Sequence, residues 1–329
     1  MNLSTGRMKH GPRNLITDVP GVRVGHATVD EGSCHTGVTV VLPPCENPFL
    51  TKLTAASCVF NGFGKTLGLV QVDELGTLET PIAITNTLNV GRVHDAMVSY
   101  MIDLCRRDGV RLTSVNPVVC ECNDSQISDI ARRPVGEREV RAAIDAASAD
   151  FAQGAVGAGR GTICYGMKGG IGSASRLMEL DGETFTVGVL VQSNYGASAD
   201  FRAACLPGEL SECDRGSIII LVATDLPLTA RQLKRVLRRC SVGMARLGSY
   251  IGHGSGEIAV GFTTAPRQTE GHFTTLRCLN ESDMNLPFRA VGDATEEAIL
   301  QSMLHAEADV TLEGKIVPSL RSYLDSRRE

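Results

Sequence analysis

The chain reads as an α/β or α+β protein with strands buried beneath helices. Three observations predict this. Short apolar runs alternate with amphipathic stretches of helical period. Some runs are apolar almost throughout, as expected of strands covered on both faces. The 329 residues are 43% hydrophobic and 21% charged, a soluble globular composition with enough apolar mass for a large core. By length the chain makes one large domain or two ordinary ones. It shows no composition break, low-complexity linker or internal repeat.

The elements follow in order. "GVRVGHATV", "GVTVVLPP", "SCVFNGF" and "PIAITN" read as strands punctuated by Gly and Pro. "NVGRVHDAMVSYMIDLCRRDG" reads as a helix. Val93, Met97, Tyr100, Met101 and Leu104 share one stripe, and Gly109 ends it. "NPVVCECND" is a strand with a polar end, and "GEREVRAAIDAASADF" a second helix. The Gly-dense "GAVGAGRGTICYGMKGGIGSASR" lacks helical period and predicts loop and bent strand. "FTVGVLVQSNYG" is a covered strand, and a polar linker at 197–216 follows. "SIIILVATD" is a strand and "LTARQLKRVLRRCSVGMARLG" a helix. In that helix Thr229 and Gln232 form a capping box, and Gly248 follows the last turn. "GEIAVGFTT" is another strand, and "DATEEAILQSMLHAEADV" a last long helix. Thr295, Glu296 and Glu297 are expected in its first turn, where acids suit the dipole.

Charge narrows the function. The net charge is -5 and the pI about 5.9. Without a basic stripe, nucleic acid is not an expected partner. Arg132-Arg133 and Arg235 with Arg238-Arg239 read as solvated faces. No apolar window reaches membrane-span length, and the N-terminus lacks a signal-type apolar core. Eleven scattered cysteines suggest reduced thiols and a cytoplasmic protein. Cys120-x-Cys122 has no partner pair at finger-like spacing and reads as core. The seven histidines lack H-x-x-x-H spacing, so no metal site is expected.

Familiar site motifs fail on one residue each. "NGFGKTLG" would be a phosphate loop only with Gly at 59, where Val59 stands. Gly157-x-Gly159 is followed by Gly161 and not by a glycine at 162, so the dinucleotide fingerprint is broken. "GHGSGE" misses the nucleophile-elbow pattern because His253 replaces its first Gly.

Gly216-Ser217 is different. A serine hydroxyl needs a base, and no His–Asp partner is evident. If the chain broke before Ser217, the new α-amine, with pKa about 7.7–8.0, would serve as one. Gly216, lacking Cβ, would tolerate strained dihedrals and a close approach by the Ser217 hydroxyl. The competing reading is a turn into a buried strand.

Seven stretches in order, "ITDVPGVRVGH", "GVTVVLP", "ECND", "GAGRGTICYGMKGGIGSASR", "VLVQSNYG", "RGSIIILVATDLPL" and "GHGSGEIAVGFTTA", together resemble peptidase family S58, the D-aminopeptidases and β-peptidyl aminopeptidases. The resemblance runs from about Ile16 to the final helix. It implies a four-layer αββα sandwich of the N-terminal-nucleophile hydrolase type. It also implies a single self-processing domain over 1–329, cut at Gly216-Ser217 into an α chain (1–216) and a β chain (217–329). Ser217 is then the nucleophile, assisted by Ser255 and Glu257. Asn194 stabilises the oxyanion, and Glu121 binds the substrate ammonium. Asn123 stands where some members carry a substrate-contacting Tyr. Gly169, Gly170 and Lys168 fall in the family's Gly-rich segment, with no chemistry assigned to them.

The implied activity is removal of N-terminal L-, D- or β-residues from short peptides, amides or esters bearing a free amine. No metal or organic cofactor and no membrane is involved. Relatives suggest a homotetramer of αβ pairs. Two alternatives stand beside this reading. An acyl or peptidyl transferase of the same fold would pass the acyl group to an added amine. A binding module without activity would not respond to Ser217→Ala.

Overall fold

The computed structural model describes residues 5–203 and 215–326. The linker at 197–216 therefore falls largely outside the described residues. Two sheets face each other, with helices on both outer sides.

The smaller sheet contains β1 (Arg23–Glu31), β2 (Cys34–Leu42), β5 (Ile82–Asn86) and β6 (Val118–Cys122), in that order. The larger contains β3 (Leu53–Gly62), β4 (Thr77–Leu78), β9 (Gly170–Leu180), β10 (Glu183–Asn194), β11 (Arg215–Thr224) and β12 (Gly254–Thr263). Its order is β4-β3-β12-β11-β10-β9, with β11 and β12 parallel and every other pairing antiparallel.

Three apolar clusters fill the gaps between layers. The innermost joins the sheets through Val41, Ile84, Cys120 and Cys122 on one side and Leu190, Ile219, Leu221 and Val260 on the other. A second seals the smaller sheet under α2 (Val90–Arg107) and α3 (Glu137–Asp145). The third seals the larger sheet under α4 (Ala230–Leu237), α5 (Cys240–Arg246) and α6 (Asn285–Leu304). This is the αββα sandwich. Period-two alternation produces it: Ile218, Ile220 and Val222 face the helices, while Ile219, Leu221 and Ala223 face the other sheet.

The remaining elements are peripheral. They are α1 (Leu69–Leu75), α7 (Leu320–Asp325) and three small hairpins: β7 (Ile163–Cys164) with β8 (Met167–Lys168), β13 (Gln268–Glu270) with β14 (Phe273–Thr275), and β15 (Asp309–Val310) with β16 (Ile316–Val317).

The helical stripe on α2 is buried except for a half-buried Tyr100, and Gly109 follows the helix with φ +72°. Four expectations need correction. The segment 136–151 is helical only to Asp145; beyond it Ser148 bridges to Val24 at the edge of β1. The expected single helix over 228–248 is two. Arg239 N–H bonds the Val236 carbonyl at 2.8 Å, a tightened turn that re-aims α5. The new direction lets Gly243 lie against α6, where a Cβ would come within 2.6 Å of the Glu296 nitrogen. Next, α6 starts at Asn285, with Pro287 in the first turn, where its missing N–H costs nothing. Thr295–Glu297 are consequently mid-helix. The Thr295 hydroxyl donates to the Val291 carbonyl at 2.7 Å, and Glu296 and Glu297 pair with Arg246 and Arg176. Last, the Gly-dense segment ends in a regular strand, β9. Gly172 allows that strand to touch α6, for a Cβ there would meet the Ala298 carbonyl at 2.0 Å.

Of the arginine clusters, Arg132, Arg133 and Arg238 are exposed as expected, whereas Arg235 and Arg239 have partners. Arg235 pairs with Glu281, and Arg239 lies 3.9 Å over the Phe288 ring. The nine described cysteines form no disulfide with one another, and seven are buried, Cys120 and Cys122 among them. Among the described residues no helix is long and apolar enough to cross a membrane.

Candidate active site

Gly216 and Ser217 open β11, continuous with the strand. Register places Ser217 abreast of Asn194 on β10 and Gly256 on β12. Gly216 lies abreast of Ser255, and Ile218 abreast of Glu257. Three neighbouring strands thus bring Ser217, Asn194, Ser255 and Glu257 to one end of the larger sheet; by the alternation of Ile218, Ile219, Ile258 and Ala259, Ser217 lies on the inter-sheet face and Ser255 and Glu257 on the helix face. All four are buried, with Ser255 and Glu257 at 0% exposure.

The glycine before the serine is required by space. An added Cβ on Gly216 would fall 2.3 Å from the Asn194 carbonyl oxygen and 2.7 Å from the Tyr195 Cα. Its φ is not in the left-handed region, so close packing, and not strained dihedrals, explains the residue.

Ser217 continues the alternation of Ile219 and Leu221 and faces the inter-sheet space. The Cys122 thiol of β6 lies beside it there. Burial pushes that thiol well above its ordinary pKa, so it stays protonated and cannot act as a base. The thiol itself lies 3.5 Å from the Gln192 carbonyl. Among the described residues neither Ser217 Oγ nor Ser255 Oγ has a hydrogen-bond partner of good geometry. In the continuous chain these two hydroxyls are one register step apart and not bonded to each other.

Asn194 is held at both ends of its carboxamide. Oδ1 accepts the Ile163 N–H at 3.0 Å, and Nδ2 donates to the Asn123 carbonyl at 2.9 Å. Asn123 itself is exposed. Its side-chain oxygen accepts the Ser125 N–H at 3.0 Å, an Asx turn, while its backbone faces Asn194. The Ile163 side of this clamp is the β7–β8 hairpin, turned by Tyr165 (φ +52°) and Gly166 (φ +72°) and tied to β10 through Tyr165 N–H and the Tyr195 carbonyl at 2.8 Å.

Glu121 is buried on β6. One carboxylate oxygen accepts the Lys65 N–H at 2.9 Å and the other the Thr87 hydroxyl. A carboxylate offers about four acceptor sites, so capacity for an incoming cation remains. Next along the chain, burial raises Asp124 to about 6, against hydrogen bonds from Thr36 and Asn86.

Sequence reasoning missed the segment after β3. "NGFGK", rejected as a phosphate loop, walls the site. Asn61 Nδ2 donates to the Gly252 and His253 carbonyls at 3.0 Å each, and to the Ser255 carbonyl. Phe63 and Gly64 pack on Gly256 so closely that a Cβ there would lie 2.5 Å from the Phe63 carbonyl. Thr87 and Ile163 were also missed, because their contributions are a hydroxyl at a helix start and a backbone N–H. The misfit "GHGSGE" carries the candidate Ser255 in a strand and not at an elbow.

Chemically, the arrangement offers a buried hydroxyl, an amide donor and a carboxylate able to receive a cation, and among the described residues no histidine, lysine or carboxylate is bonded to the hydroxyl. The chain is similar to several known proteins. β-Peptidyl aminopeptidase BapA of Sphingosinicella microcystinivorans is 37% identical, covering 95% of this chain and 86% of the relative. The crystal structure of the PH0078 protein from Pyrococcus horikoshii OT3 superposes with a TM-score of 0.92 at 41% identity, covering 99% and 96% of the two chains. The L-aminopeptidase D-Ala-esterase/amidase of Ochrobactrum anthropi, described as a variant of the Ntn hydrolase fold, superposes at 0.88 and 34% identity over 98% and 96%. The same strand-end gathering of Ser217, Asn194 and Ser255 lies within residues 14–317, which match the model of peptidase family S58, and the chain belongs to that family.

Proposed function

We propose that this protein is an aminopeptidase that makes its own nucleophile by cutting Gly216-Ser217. Ser217 Oγ attacks the Gly216 carbonyl carbon. The C–N bond breaks as the ester forms, and the nitrogen takes the hydroxyl proton. Water then hydrolyses the ester, leaving a Gly216 carboxylate and a Ser217 bearing a free α-amine.

In the mature enzyme that amine accepts the Ser217 proton during attack on the carbonyl of a substrate's first residue. Asn194 Nδ2 donates to the developing oxyanion, a contact worth about 2.7–4 kcal/mol in the transition state. The amine returns the proton to the leaving nitrogen, and water releases the acyl group. Glu121 receives the substrate's ammonium and so selects the free N-terminus. Ser255, in step with Gly216, stands beside the scissile peptide, and Glu257 two residues on completes the family's Ser-x-acid pair. Asn123 contributes its carbonyl, which holds Asn194 until substrate arrives. The described residues contain no cluster suited to a metal, and the proposed steps use none. The expected assembly is a tetramer of αβ pairs, checked by light scattering.

One observation carries the reading: Ser217 is a buried hydroxyl with no side-chain base bonded to it, beside a thiol that stays protonated. A serine so placed becomes reactive when its own amine is released. A denaturing gel tests this. Wild-type protein should resolve into two fragments, the smaller beginning Ser-Ile-Ile-Ile-Leu, and Ser217→Ala should remain one band. Active wild-type protein that stays full length would overturn the proposal.

A further inference from the structure

Lys168 is fully buried, an expensive place for an ammonium, yet its Nζ has three acceptors. It donates to the carbonyls of Thr162 at 2.9 Å, Gly169 at 3.1 Å and Gly159 at 3.3 Å. Three backbone carbonyls match the three donors of a charged lysine, whereas a neutral amine could serve only two.

The Thr162 carbonyl is the significant one, because its peptide group ends in the Ile163 N–H. That N–H donates to Asn194 Oδ1 at 3.0 Å. Lys168, the 162–163 peptide and the Asn194 carboxamide therefore form one line of hydrogen bonds. A cation at one end draws electron density from the peptide oxygen. The N–H becomes a stronger donor, Oδ1 is polarised, and the Nδ2 protons at the far end become stronger donors in turn. Glycines permit the compact geometry: a Cβ on Gly169 would come 2.4 Å from the Ser193 carbonyl and 3.1 Å from the Thr162 hydroxyl.

We infer that Lys168 is a positioning residue for oxyanion stabilisation, orienting and polarising Asn194 through the 162–163 peptide. This rests on the oxyanion role proposed for Asn194. Burial pulls the Lys168 ammonium down to about 7. Asp309, Asp124 and Asp30 act to raise it and Arg160 to lower it, and the three carbonyls favour the charged form.

A double-mutant cycle on the full chain tests the inference. Lys168→Met and Lys168→Gln are each made alone and with Asn194→Ala, and kcat and KM are measured on an aminoacyl p-nitroanilide after gel-confirmed maturation. Folding is checked by thermal melting. Lys168→Met should lower kcat about tenfold or more with KM unchanged, the size seen when outer partners of a metal ligand are removed. In the Asn194→Ala background the same change should have little further effect. Full multiplication of the two losses would overturn the inference, since a purely structural lysine harms both backgrounds alike. If Asn194→Ala alone costs nothing, the proposed role of Asn194 fails, whatever Lys168 does.

Where a variant folds but does not mature, the cycle is run on the half-time of self-cleavage. Should both Lys168 replacements unfold, uncleaved 15N-labelled Ser217→Ala protein with native Lys168 supplies the readout. Its Asn194 side-chain amide resonance should move as the pH is taken from about 6 to about 10, a range spanning the displaced and ordinary lysine values. A resonance that stays still would overturn the inference.

Discussion

Replacing Gly216 by Ala adds one methyl group at the proposed scissile residue. The new Cβ would lie 2.3 Å from the Asn194 carbonyl oxygen and 2.7 Å from the Tyr195 Cα, and both obstacles are backbone. Real Cβ contacts essentially never fall below 3.0 Å, so β10 and β11 must part by at least ~0.7 Å. Overpacking of this kind costs about 1–3 kcal/mol. The chemical penalty is larger, because Asn194 sits on one of the separating strands and the scissile carbonyl on the other. A misplacement of about 1 Å at a reacting centre costs on the order of 100-fold in rate. The assay follows the full-length band on a denaturing gel after synthesis, with thermal melting in parallel. Gly216→Ala should remain folded, melt lower, and cleave itself at least about tenfold more slowly, a conservative fraction of that penalty. Wild-type cleavage together with an unchanged melting temperature would show that the β10–β11 contact is not what places the bond.

Two further perturbations test other parts. Glu121→Gln keeps an acceptor oxygen for the Lys65 N–H, and its NH2 can donate to the Thr87 hydroxyl, but the charge is lost; a hydrogen bond to a charged group is worth about 1.5–3 kcal/mol, so KM for substrates with a free amine should rise about tenfold or more. An unchanged KM would remove Glu121 from amine recognition. Glu297→Gln leaves Arg176, itself 1% exposed, without its carboxylate partner at 2.6 Å, and should destabilise the fold by about 3–5 kcal/mol near neutral pH. The Arg176 charge and bonds from Asn14 and Thr5 outweigh burial and hold the Glu297 pKa below its ordinary value. The unfolded chain therefore takes up this proton first on acidification. The stabilisation is complete above the ordinary Glu pKa and is lost as pH falls through the depressed one. Denaturant melts of both proteins should converge in acid, and a constant gap across pH would contradict the assignment.

The outer layers were legible because their signals are local. Thr229 and Gln232 cap α4 as their spacing predicts, and the stripe Leu233, Val236, Leu237, Cys240, Met244, Leu247 is buried throughout. The break at Arg238–Arg239 left no such trace, because it serves the contact of Gly243 with α6, a tertiary requirement. Pro287 and Gly292 hid the start of α6 for a related reason: both are weak helix formers tolerated by position and packing. Ser217, Asn194, Ser255 and Glu121 were named because family motifs carry them. Their spatial gathering depends on pairing between strands far apart in sequence, which no local pattern encodes. Asn61, Thr87 and the Ile163 N–H were invisible for the same reason, since one carboxamide, one hydroxyl and one backbone N–H leave no pattern in the sequence. Lys168 could be noticed as an odd cation among glycines, but its three carbonyls appear only once the hairpin is folded.

The strand order of the larger sheet has a consequence for any molecule severed before Ser217. β11 from Ser217 onward and β12, which follow the bond, are inserted between β3 and β10, which precede it. The daughter polypeptides would be interleaved like two hands with locked fingers, and neither could leave without tearing ladders on both flanks. Scission would therefore be a one-time latch: it exposes a new terminus, sheds no propeptide, and commits each copy for its lifetime.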